Sequence, residues 1–210
     1  MRKTAVAALF WGACWGFAEA TFGFMLHKAA VALPGLPGFL MFPIGVFFMM
    51  RAFDSTGRAD SAFLAASVAA AVKLSGFLVP GHDPIRIINP ALSLLMEGLS
   101  VSVVLKASGY AMCMGKLKFL SSFAMGFSWR AAFLVHLWIT SLFGLPAELA
   151  TGPVLTALRF LVLESAVNAG VIWSFSSAAR LLEMRPLSYK PSFLSALLIL
   201  VAAAIFQAVL

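Results

Sequence analysis

TAVAALFWGACWGFAEATFGFMLH, running from Thr4 to His27, is apolar over a length that crosses a bilayer, yet it carries a carboxylate, Glu19, well inside it. A bilayer asks for roughly 20 apolar residues of helix. A charge near its centre costs about 2.5–3.5 kcal/mol on insertion scales, so such a residue faces a protein interior and marks a path, a site or a partner. The run follows Met1-Arg2-Lys3 and contains Ala18-Glu19-Ala20, the outline of a secretory leader with an A-x-A cleavage site. It continues through Phe22, Phe24, Met25 and Leu26, which predicts an uncleaved membrane helix. Glu97 and Glu164 recur in similar apolar surroundings.

Composition extends this reading to the whole chain. Of 210 residues, 62% are hydrophobic and 11% charged, far from the balance of soluble domains. The formal charge of +7 is not a nucleic-acid footprint, because no basic run interleaves with aromatics. Cys14 and Cys113 lie in apolar segments without CxxC or Cys/His spacing, so both are read as packing residues. No cofactor is expected, and whether a metal binds is left open.

Seven apolar segments can be counted, at about 4–30, 39–53, 60–79, 90–112, 117–145, 153–180 and 191–210. Lipid leaves backbone groups no partners outside helices and closed barrels, and alternating short strands are absent. The expected fold is therefore all-α: a polytopic transmembrane helical bundle of six to seven membrane segments forming one integral domain over residues 1–210. Arg2, Lys3, Arg51, Arg58, Lys106, Lys116, Lys118, Arg180, Arg185 and Lys190 fall at alternate segment ends, against Lys28 and Arg86 on the other side. That bias predicts a cytoplasmic amino terminus, with the loops near 28–38, 80–89 and 146–153 facing outward.

The second segment reads as short and broken by Pro43, which makes it a candidate for unwound backbone offering free N–H and C=O groups to a ligand. A weak internal repeat links FPIGVFFMMRAF around Arg51 with FAMGFSWRAAF around Arg130.

Several residues are candidates for chemistry. In the first helix Ala8, Gly12, Gly16 and Ala20 form a small-residue stripe that lets another helix approach closely, either within the bundle or from an external partner. Ala62, Ala66 and Ala70 repeat the pattern. Glu19 lies beside Gly16 and Gly23, with His27 two turns further out. Glu97 shares a helical face with Ser93 and Ser100, and Asn89 is expected to cap that helix just before Pro90. Glu164 has Asn168 one turn on. Arg130 is too deep to snorkel and is expected to pair with a glutamate, with His136 on the same helix; Lys73 and Arg159 are placed near outer ends, where snorkelling explains them. Three carboxylates with small polar neighbours read as the lining of a hydrated cavity.

GxxxxGK[ST], HExxH and GxSxG are all missing, which removes the common nucleotide-hydrolysis, metallopeptidase and serine-hydrolase signatures. The leading expectation is a solute-binding transport subunit. Two others compete: an intramembrane enzyme acting on lipid or isoprenoid substrates, using Glu19 with His27 or Glu164 with His136 as acid and base, and an assembly factor whose buried charges only lock helices together.

The size, helix layout and stripe at Ala8, Gly12, Gly16 and Ala20 resemble the substrate-binding S components of energy-coupling factor vitamin transporters, over most of the chain and without a diagnostic motif. The resemblance implies a prokaryotic cytoplasmic-membrane protein, mostly of six helices, whose stripe docks on a shared transmembrane partner driven by separate ATPases. It also implies a vitamin-like solute or cofactor precursor held near the outer face beneath loops. In that setting the acidic residues suit an amine and Arg130 a carboxylate. A seventh segment departs from that plan.

Overall fold

The computed structural model describes residues 2–29, 36–79, 81, 83–108, 112, 116–181 and 191–209. Among them it is helical with short connecting turns, and without strands. The helices are α1 (Arg2–Ala18), α2 (Phe24–Ala29), α3 (Leu36–Thr56), α4 (Asp60–Leu74), α5 (Pro84–Ala107), α6 (Phe119–Ser141), α7 (Glu148–Thr151), α8 (Val154–Leu158), α9 (Glu164–Leu181) and α10 (Phe193–Val209). Two joints are π-helical: Glu19–Gly23 fuses α1 to α2, and Arg159–Leu163 fuses α8 to α9. Each α/π/α stretch is one rod, so apart from the four-residue α7 the described residues form seven rods, one in each of the seven apolar segments.

Five of these are long and apolar enough to cross a membrane: Lys3–Leu26, Gly38–Thr56, Asp60–Leu78, Pro84–Ala107 and Val154–Ala179. α6 has the length, at 23 residues, but Arg130 and His136 dilute its apolar run. α10 has the composition but 17 residues, about 26 Å at 1.5 Å per residue. Leu120, Val135, Leu155, Leu163, Leu198 and Val201 lie exposed on the outer surface, the pattern of a protein whose solvent is lipid.

α1, α4, α5, α6, α9 and α3 touch in that order and α3 returns to α1, closing a ring of six; α10 lies outside, along α1 and α4. α3 turns Phe42, Val46, Met49 and Met50, all fully buried, into the core. Apolar burial supplies little drive between helices in lipid, so close packing must hold them. Small residues permit it. A Cβ on Gly12 would run into the Ala65 carbonyl oxygen and the Val68 Cβ of α4, and one on Gly16 would lie 2.8 Å from Val72 Cγ2. On the other side of α4, Ala66 fills the space that Gly98 leaves on α5. Gly45 likewise admits the Trp15 ring, 2.6 Å from where its Cβ would stand.

Both small-residue stripes are therefore seams of this bundle. Gly12 and Gly16 face α4, and Ala8 and Ala20 are buried, so the first stripe offers no open face to an external helix. Nothing in its spacing separates an internal from an external seam.

Two element bounds differ from the sequence expectation. α3 extends over 21 residues, about 32 Å, enough to cross. Pro37 sits in its first turn, where proline is tolerated, and Pro43 is accommodated inside it. α5 begins at Pro84, capped by Asp83, whose side chain accepts from the Ile85 N–H at 3.0 Å. Asn89 thus lies within α5, not at its cap.

Candidate functional site

Arg130 stands midway along α6, fully buried. Its Nη1 donates to the Gly126 carbonyl at 3.3 Å and to Ser165 Oγ at 3.5 Å, while Nη2 lies 3.9 Å from Glu164 Oε2. Ser165 can accept because its own hydroxyl donates to the Leu161 carbonyl at 2.6 Å. With its amide turned so that oxygen faces Arg130, Asn168 accepts from Nη2 at 2.9 Å and donates to the Phe39 carbonyl at 2.9 Å. Trp129, Phe160 and Phe42 surround the guanidinium carbon at 4.6, 5.3 and 5.6 Å, which stabilises the cation through the ring faces. The expected glutamate partner is Glu164, and Asn168 joins the same network.

The Phe39 carbonyl is available because of Pro43. In a regular helix residue 43 would donate its N–H to residue 39, and proline has none. A freed backbone acceptor was the expectation for this segment; an asparagine of the same chain takes it up.

Both π-helical turns sit at carboxylates. Glu19 opens one and Glu164 immediately follows the other. A π turn packs one extra residue into the helix and recurs at functional sites. Gly23, one turn beyond Glu19, leaves the space its carboxylate occupies: a Cβ there would lie 2.9 Å from Glu19 Oε2.

Glu19 lies in the field of Lys73, and Glu97 in the fields of Glu19 and Arg130. A string of charge therefore runs from Lys73 through Glu19, Glu97 and Arg130 to Glu164, contributed by α4, the α1/α2 rod, α5, α6 and the α8/α9 rod. The three carboxylates share one interior. Lys73 belongs to it because it is buried at 7% exposure and does not snorkel. Its sequence signal is its place four residues after Ala69 on the buried face of α4. Arg159 does reach outward, at 64% exposure, with Nε 4.0 Å from Glu164 Oε1.

The small polar neighbours of Glu97 act differently from the expectation. Ser93 donates to the Pro90 carbonyl at 2.8 Å and Ser100 to the Met125 carbonyl at 2.7 Å, so neither hydroxyl proton reaches the carboxylate. Glu97 Oε2 is buried and accepts no hydrogen bond among the described residues. The indole N–H of Trp129 is likewise buried without an acceptor among the described residues.

Nearer the C-terminal end of α6, His136 Nε2 and Asn89 Oδ1 lie 3.3 Å apart, joining α6 to α5. His136 is thus engaged with Asn89 and not with Glu164. The side chains of His27 and Lys28, and all of His82 and Cys113, fall outside the described residues. Among the described residues no three His, Cys, Asp or Glu side chains come together as metal ligands.

No protein-family model, curated protein or solved structure matches this chain.

Proposed function

We propose that the chain is a membrane-embedded, substrate-binding subunit for uptake of a small vitamin-like solute or cofactor precursor, of the kind that energy-coupling factor S components exemplify, energised by a separate ATPase module. The observation that carries the reading is the buried string Lys73, Glu19, Glu97, Arg130 and Glu164, drawn from five helical rods into one interior. A bundle needing only to hold together has no use for so many desolvated charges, since replacing buried ion pairs by apolar residues is often neutral or stabilising. Groups that select a solute must stay polar in a dry setting, where each interaction is strengthened. The ring of six helices with α10 outside also suits that kinship, because the seventh rod leaves a six-helix unit intact.

The small-residue stripe on α1 no longer supports coupling to a transmembrane partner, because α4 occupies it. A coupling partner would therefore dock on another face. The orientation with a cytoplasmic amino terminus rests on the distribution of lysine and arginine.

Native mass spectrometry of the protein released from mild detergent tests the reading. Wild type should carry a small polar molecule, and Glu19→Gln should lose it while keeping its folded yield. Bare protein in both, or equal losses of yield and occupancy, argues for charges that only lock helices.

A further inference from the structure

Arg130 has little left to offer a ligand. Nη1 and Nη2 are committed to Gly126, Ser165 and Asn168, with Glu164 beside them, and aromatic rings pack about the guanidinium. Only Nε is without an acceptor among the described residues. A ligand carboxylate needs two neighbouring N–H groups for the bidentate fork that makes arginine selective, and that fork is taken. The expectation that Arg130 holds a carboxylate therefore weakens.

The charges leave a remainder. Glu164 is answered by Arg130, and Glu19 lies in the field of Lys73, while Glu97 feels Arg130 but also the like charge of Glu19. Glu164 has a second cation, the exposed Arg159, 4.0 Å away, so the carboxylate left without a direct partner is Glu97. It is 5% exposed, its Oε2 accepts nothing among the described residues, and Ser93 and Ser100 have spent their protons on backbone carbonyls. A desolvated carboxylate in this state is incomplete, and a single positive charge completes it.

We infer that the solute is a monocationic organic amine whose ammonium group pairs with Glu97, deepening and resting on the uptake reading above. A small cationic head with an apolar body meets a carboxylate on α5 within an interior that already holds the Arg130 cation among the rings of Trp129, Phe160 and Phe42, which favour cations over their faces. Lys73 and Arg130 repel a second positive charge on the same molecule, and the crowded Nη groups give a negative one no fork.

Three probes of one shape and different charge test this on the full-length protein in lipid nanodiscs: benzylammonium, benzyl alcohol and benzoate. Binding is followed by the fluorescence of the chain's tryptophans, with protein-free nanodiscs as the blank. Wild type should prefer benzylammonium at least about tenfold over benzyl alcohol, the ratio equal to about 1.4 kcal/mol, and should not respond to benzoate. Glu97→Gln should erase the preference, and Glu97→Asp, which keeps the charge one methylene further back, should retain part of it. Preference for benzyl alcohol or benzoate, or an ammonium preference unchanged in Glu97→Gln, overturns the amine inference while leaving a solute-binding interior standing. Absence of any response to all three overturns both.

Discussion

Asn168 donates to the carbonyl of Phe39, an acceptor that would go unpaired in the first turn of α3 because Pro43 stands one turn beyond it. The same asparagine accepts from Arg130 Nη2, so one amide ties a helix irregularity on α3 to the central cation on α6. Backbone and charge are solved together. This gives Pro43 a definite role: it creates the acceptor that fixes the orientation of Asn168 and so completes the fork of Arg130.

Asn168→Ala orphans both the Phe39 carbonyl and Arg130 Nη2, each at about 1–3 kcal/mol for a buried unpaired group. Restoring the missing N–H with Pro43→Ala removes the first of these losses. The penalty of Asn168→Ala, followed by thermal unfolding in detergent, should therefore be smaller in the Pro43→Ala background. An identical penalty in both backgrounds would show that the Phe39 carbonyl is not what Asn168 serves.

The seam between α1 and α4 makes a graded prediction. Gly12→Ala drives a methyl group into the Ala65 carbonyl, and backbone cannot rotate away, so it should cost about 1–3 kcal/mol as overpacking. Gly16→Ala meets the Val72 side chain and should cost less. Gly170→Ala, with nothing within 4 Å of its new methyl, should gain about 0.5–1 kcal/mol from helix propensity alone. Folded yield by size-exclusion profile should rank Gly170→Ala above wild type, then Gly16→Ala, then Gly12→Ala. A normal profile for Gly12→Ala would contradict the seam.

Arg130 and Glu164 should behave as a buried pair. Removing one partner strands a charge, so Arg130→Leu should destabilise by about 3–5 kcal/mol. Arg130→Lys keeps the charge but cannot reach Gly126, Ser165 and Asn168 together, and should fall between wild type and Arg130→Leu. The double variant Arg130→Leu/Glu164→Leu should be more stable than the sum of its single changes predicts. Simple additivity in a double-mutant cycle would mean that the two groups are not coupled.

Orientation can be read by cysteine labelling after replacing Cys14 and Cys113 with alanine. Gly57 lies in the turn between α3 and α4, beside Arg58, Asp60 and Lys106, which pair at one end of the bundle, with Lys106 Nζ 2.6 Å from Asp60. Gly144 lies beyond α6 at the opposite end. Gly57→Cys should react with a membrane-impermeant maleimide only in inverted vesicles, and Gly144→Cys only in intact cells. The reverse pattern would invert the topology drawn from the basic residues.

Much of this architecture was legible because lipid enforces it. Apolar length located all seven rods, and Glu19, Glu97, Glu164 and Arg130 were recognisable as interior residues by the cost of placing them anywhere else. Where sequence failed, the deciding partner lay on another helix. The stripe at Gly12 and Gly16 looks the same whether α4 or another protein fills it. Ser93 and Ser100 share a face with Glu97, but their protons go to carbonyls nearer to hand. Lys73 was assigned to the surface from its distance to a helix end, whereas its face of α4, continued from Ala69, turns it inward. Asn89 looked like a cap because Pro90 follows it, while Asp83 and Pro84 were the earlier and stronger start signal.

The π-helical turns at Glu19–Gly23 and Arg159–Leu163 add a constraint that no side chain carries. Each holds one residue more than an α-helix would over the same turn, so a reversion to regular coiling with no residue lost would swing everything beyond it by about 100° about its axis, whereas deleting one residue as the turn reverts would keep the phase. Substitution can tune the polarity of this interior, but its angular phase is written in chain length. Two rods keep their carboxylates aimed inward by absorbing one residue apiece, and losing either bulge at constant chain length would rotate a buried face toward lipid without altering a single amino acid.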